Sequence, residues 1–162
     1  MSRKLVSVLC NVSGTLILLL VIALCLPMVL PKVLDYEVYH VVSGSMEPEI
    51  SVGSLVLVEA AAPETIAEGT VIAFRSGGAV VVHRVIQNKL VEGAFVTKGD
   101  ANPIEDRKEV PYDQLIGSVA YHIPAVGQLL AVCGSTIGKI YLLLLAACGA
   151  MLNMLAGRLR GR

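Results

Sequence analysis

The sequence predicts a mainly β chain, with a compact all-β domain held between two membrane-spanning helices. Long apolar runs occupy both ends, and short β-type runs broken by glycine fill the middle. All 13 acidic residues also lie in that middle, between Asp35 and Asp113. A length of 162 residues leaves room for one domain plus accessory segments. The hydrophobic fraction of 55% and mean hydropathy of +0.73 exceed those of an ordinary soluble domain.

The excess of apolar residues is concentrated at the ends. Val12 to Leu30 carries no charge. Nineteen residues at about 1.5 Å each reach roughly 28 Å, close to the hydrocarbon thickness of a bilayer. A cleaved secretory signal has a shorter apolar core and a small-residue exit. Here Pro27 and Pro31 are expected to mark the exit, so the segment reads as an uncleaved anchor. At the other end, Ile140 to Ala156 is apolar except for Asn153, and Ile137 to Lys139 extends it to spanning length. Lys139 can extend its amine to the headgroups. Val126 to Ser135 is too short to cross and is expected to lie at the interface or lead into the second span.

Arg3 and Lys4 precede the first span, while Arg158, Arg160 and Arg162 follow the second. The positive-inside rule therefore puts both ends in the cytoplasm and the acidic middle outside. The expected organisation is a tail and first span over 1–34, an extracytoplasmic domain over 35–122, and an interfacial segment, second span and basic tail over 123–162. The zero net charge is a cancellation between compartments. The middle has no basic patch of the kind nucleic acid requires. Cys10, Cys25, Cys133 and Cys148 all lie in or beside the apolar ends, so no disulfide is expected in the external domain. No Cys/His spacing suggests a metal site.

Within the middle, residues 36–42, 54–59, 70–74, 80–87, 90–98 and 118–123 read as strands, with a helical turn over 63–67. Asn88-Lys89 reads as a two-residue hairpin turn, which would set Gln87 opposite Leu90 and His83 opposite Ala94. Alternation then puts Val81, His83 and Val85 on one face, and Val80, Val82, Arg84 and Ile86 on the other. On this register Asp100 lies roughly 20 Å beyond Ala94 along a strand rising about 3.3 Å per residue. A reversal at Gly99, Asn102 and Pro103 would return Asp106 toward His83. Asp106 is thus the expected orienter of His83, and Asp100 a loop-fixing residue that accepts local backbone hydrogen bonds.

Ahead of these lies His40-Val-Val-Ser43-Gly44-Ser45-Met46-Glu47-Pro48. Gly44 permits a bend and Pro48 fixes φ just past it. A hydroxyl on such a turn is exposed and aimed, but serine needs a neighbouring base to become a nucleophile. Histidine supplies one in its neutral form. His40 and His122 lie outside the motif-bearing stretches and are expected to be structural.

At the Ser-Gly-Ser-Met-x-Pro stretch, the strand His83-Arg84-Val85-Ile86 and Gly99-Asp100-Ala101-Asn102, the chain resembles the signal peptidase I family of membrane serine proteases. Housekeeping bacterial members carry lysine as the base. Histidine at position 83 is similar to the branch found in the endoplasmic reticulum, archaea and some Gram-positive bacteria. The resemblance implies a β catalytic domain of signal peptidase type, with Ser45 as nucleophile and His83 as general base. It favours Asp106 over Asp100 as the aspartate beside the base, with both standing as candidate catalytic residues. It also implies an oxyanion site from the Ser45 N–H and the Ser43 hydroxyl, and no cofactor. Met46 and nearby β-branched residues would shape shallow pockets for small side chains.

The implied partners are exported pre-proteins bearing signal peptides and the lipid bilayer, with accessory peptidase subunits left open. The implied location is the cell membrane, or the endoplasmic-reticulum membrane in a eukaryote. The alternative is a non-catalytic, membrane-anchored β domain that binds partners in a secretion or processing complex. The joint presence of Ser45, His83 and both aspartates speaks against it.

Overall fold

The computed structural model describes residues 3–160. Arg162, counted above with the basic tail, lies outside them. The described chain divides into two compact units, one from the terminal segments through Leu30 and from Leu130, the other Pro31–Leu129.

The terminal unit holds α1 (Arg3–Val33) and α3 (Thr136–Arg160), both long and apolar enough to cross a membrane. α1 runs through Pro27 and ends at Val33, two residues past Pro31. Pro31 itself takes part in the cap. The Leu34 and Tyr36 amides both donate to the Pro31 carbonyl, and Asp35 turns the chain at φ 60°. Near the other end of the helix pair, the buried Ser7 Oγ donates to the Ala156 carbonyl at 2.9 Å and accepts from Arg160 Nε at 3.1 Å. A shorter helix, α2 (Val126–Gly134), occupies the segment expected at the interface.

The central unit is built on a seven-stranded antiparallel sheet among the described residues. Its strands are β1 (Glu37–His40), β2 (Leu55–Glu59), β3 (Val71–Ser76), β4 (Ala79–Lys89), β5 (Ala94–Lys98), β6 (Val110–Pro111) and β7 (Leu115–Ile123). Their order is β1-β2-β7-β3-β4-β5-β6. The alternating pattern of β4 feeds two cores. Val85 and Phe74 join Ile72, Phe95 and Val110 on one side. Val82 packs against Met46, Ile50, Val56, Val58 and Ala73 on the other. Among the described residues 45% are helical and 27% are strand, so "mainly β" does not describe them as a whole. The two long helices outweigh a sheet made of short strands.

The hairpin between β4 and β5 differs from its sequence reading. Asn88 and Lys89 are strand residues, and the turn lies at Leu90–Gly93, where Gly93 takes φ 64°. Asn88 stays in the strand because its side chain has partners there. Its amide donates to the Pro63 and Ile66 carbonyls, and Tyr112 Oη donates to its carbonyl oxygen. Lys89 therefore pairs with Ala94, Gln87 with Val96, and a bulge at Ile86 shifts the register to Arg84↔Lys98. His83 faces Ile72 of β3 and not Ala94, and Gln87 does not face Leu90.

Candidate active site

The serine turn follows directly from edge strand β1. Hydrogen bonds from Val41 N to Ser54 O and from Gly53 N to Val41 O tie its root to the start of β2. Glu47 N donates to Gly44 O and Ile50 N to Met46 O, closing the turn around Ser45. Met46 and Ile50 are 2% and 1% exposed, so the turn is anchored by its own apolar side chains in the core.

A second loop locks onto it. β5 ends at Lys98, and Asn102 N donates to Gly99 O, making Gly99–Asn102 a tight reversal. Ala101 N then donates to the Ser45 carbonyl at 2.9 Å. A Cβ on Gly99 would lie 2.6 Å from the Ser45 carbonyl oxygen and 3.1 Å from His83 Nε2. Ser45 and the outer nitrogen of His83 thus approach the same backbone point, and only glycine leaves room for both.

His83 is 8% exposed, with Phe74 edge-on to its ring at 6.2 Å between centroids. Its Nδ1 lies 2.6 Å from Asp106 Oδ2. With Asp106 ionised, Nδ1 carries the proton and donates, which leaves Nε2 as the acceptor facing the Ser45 side. The Thr97 hydroxyl donates to the same Asp106 oxygen at 2.7 Å, and Asp106 N donates to Thr97 O at 2.8 Å. Thr97 is completely buried. It holds Asp106 from both its side chain and its backbone.

Asp100 takes a different partner from the one expected. Its carboxylate accepts two hydrogen bonds from Arg84, from Nε at 2.8 Å and from Nη2 at 2.6 Å, and not local backbone bonds. The pairing Arg84↔Lys98 brings the guanidinium to the loop, and a bidentate fork outcompetes single amides for a carboxylate. The hydrogen bond to Asp100 raises the Arg84 guanidinium above its ordinary value. A third Arg84 bond, from Nη1 to the Gly69 carbonyl at 2.8 Å, fastens the other end.

Ser43, Ser45, Met46 and His83 line one pocket of about 370 Å³, with Asn102 and Val42 beside them. Of the sequence-predicted site residues, Asp106 joins them through His83, while Asp100 is not among the lining residues. The sequence reading did not assign Thr97, although a threonine in an apolar strand is a buried hydroxyl that needs a partner. His40, expected to be structural, and Tyr39, which the sequence did not single out, both line the pocket from β1. Burial, and then the hydrogen bond to Glu37, push the Tyr39 phenol up to about 12. Among the described residues no cluster of His, Cys, Asp or Glu could hold a metal ion.

A serine hydroxyl, an imidazole oriented by a carboxylate, and a largely apolar pocket are the parts of a nucleophilic hydrolase. Over 85 residues the chain is 39% identical to Signal peptidase I W of Bacillus subtilis (strain 168). The chain is similar to signal peptidase I. The match covers 49% of this chain and 44% of that protein, so the chain spans less than half the length of the relative it matches. No protein-family model matches the chain.

Proposed function

We propose that this chain is a membrane-bound serine endopeptidase of signal peptidase type, working through a Ser-His pair where the housekeeping bacterial enzymes use lysine. The observation that carries this reading is the relay from Asp106 to His83 Nδ1, with Nε2 sharing the Gly99 approach with Ser45. Ser45 Oγ attacks the scissile carbonyl and His83 Nε2 takes its proton. The imidazolium returns that proton to the leaving amine as the peptide C–N bond breaks, leaving an acyl ester on Ser45. Water, deprotonated by His83 in turn, hydrolyses the ester. Asp106 holds the tautomer and offsets the charge on the imidazolium. Asp100 acts at one remove, fixing the Gly99–Asn102 reversal through Arg84.

The tetrahedral oxyanion is stabilised by the Ser45 N–H and the Ser43 hydroxyl, each such donor contributing about 2.7–4 kcal/mol in comparable sites. The substrate is an exported pre-protein, laid as an extended strand along the β1 edge with small side chains over the floor formed by Met46. Both long helices span the bilayer with the peptidase unit outside, confining enzyme and substrate to one surface and raising their effective concentration.

Membranes carrying the chain, incubated with a labelled pre-protein, test this. The expected outcome is a single cut after the signal peptide, absent with Ser45→Ala. Equal cleavage by both forms, or none by either, would leave a non-catalytic binding role.

A further inference from the structure

A second pocket, about 770 Å³, opens at His83 without touching the serine turn. It shares only Val81 and His83 with the pocket described above. Its walls include Ser76 and Gln114 and the segment from Asp106 to Pro111, which contributes Arg107 and Lys108. The acids of that segment are already engaged. Asp106 is held by His83 and Thr97, and Glu109 lies 2.5 Å from Lys89 Nζ. Arg107 and Lys108 are exposed, and neither makes an ion pair among the described residues. The pocket therefore presents two cations without an ion-pair partner among the described residues, in a lining that also includes His83.

We propose that this pocket receives the residues that follow the scissile bond and favours acidic side chains at the second to fourth of them. The inference rests on the peptidase reading above. His83 must hand its proton to the leaving amine from Nε2, so the chain beyond the cut starts at the imidazole, which lines both pockets. An extended chain rising about 3.3 Å per residue carries its second to fourth residues roughly 7–13 Å onward. A chain that continues from His83 into the second pocket meets the cations of the Asp106–Pro111 segment. Arg107 and Lys108 meet a carboxylate there without breaking another pair, while Ser76 and Gln114 offer hydrogen bonds to the extended backbone. The first pocket holds the acyl side and reads size. The second holds the leaving side and reads charge.

The test uses the full chain purified in detergent and two quenched fluorescent peptides. They are identical before the cut and carry Asp-Glu-Asp or Lys-Arg-Lys at the second to fourth positions after it. The wild type should cut the acidic peptide with a kcat/KM about tenfold higher, the size expected of two solvent-exposed pairs, and the ratio should shrink as salt rises. Arg107→Glu with Lys108→Glu should invert the ratio, and the milder Arg107→Ala with Lys108→Ala should bring it to about one. Each ratio is taken within one variant, so a change in overall rate or yield cancels. A wild-type ratio near one, or a ratio unchanged in the variants, would overturn the charged leaving-side pocket while leaving the peptidase reading in place. Failure to cut either peptide, at a rate no different from Ser45→Ala, would overturn both.

Discussion

His83 Nδ1 and Asp106 Oδ2 stand 2.6 Å apart across 23 residues of sequence. The contact depends on the reversal at Gly99–Asn102 and on Thr97, which holds Asp106 at the base of β5. Asp106→Asn would put an amide where Nδ1 needs an acceptor, favouring the tautomer with its proton on Nε2. Turnover should fall by about ten-thousand-fold, as the same change does in the serine-protease triad, with little change in thermal unfolding. Cleavage rates and melting curves of the purified variant check this.

Thr97→Val keeps the shape of a fully buried side chain and removes the hydroxyl donated to Asp106. Asp106 then has one fewer restraint beside the imidazole. Turnover should drop roughly tenfold, about 1.4 kcal/mol of barrier, with KM nearly unchanged. An equal loss with Thr97→Ser, which retains the hydroxyl, would count against this role.

Asp100→Asn separates the two aspartates. It breaks the fork with Arg84, whose side chain is 30% exposed against 18% for Asp100. Solvent screens a pair at that depth, so the stability lost should be about 1 kcal/mol. Thermal unfolding should move down with activity, and the difference from wild type should narrow as salt rises. If Asp100→Asn abolished turnover at an unchanged melting temperature while Asp106→Asn cleaved normally, the two roles would be exchanged.

Gly99→Ala would set a methyl 2.6 Å from the Ser45 carbonyl oxygen and 3.1 Å from His83 Nε2. Both contacts are closer than ordinary van der Waals separation, so the serine turn and the imidazole must move apart. Displacements of that size near reacting atoms cost about a hundredfold in rate. Comparing kcat with the melting temperature shows whether the damage falls on the site or on the fold.

Much of this was legible in the residues. The period-two alternation of β4 put His83 and Val85 on one face and Val82 on the other, as the two cores show. The hairpin was misread because Asn88 resembles a turn residue until its tertiary partners are known. Pro63, Ile66 and Tyr112 bind its side chain, and no local pattern reveals them. The register that favoured Asp106 was therefore wrong, although Asp106 does meet His83. The true route runs through the bulge at Ile86 and the Thr97 bonds. Asp100 was read as a backbone acceptor because Arg84, sixteen residues away, gives no sign in sequence of reaching it. Of the prolines expected to mark the exit of α1, Pro31 lies two residues before its end, while Pro27 lies inside the helix.

Whether Ser45 and His83 act as one unit is measured most directly by the kcat/KM of Ser45→Ala, His83→Ala and the double variant on one pre-protein substrate. Residues that share a single step are strongly non-additive. Each single change should lower the rate to nearly the same residual level, and the double should be no slower than either. Multiplying losses, or a His83→Ala protein that keeps most of its activity, would contradict a nucleophile at Ser45 activated by His83.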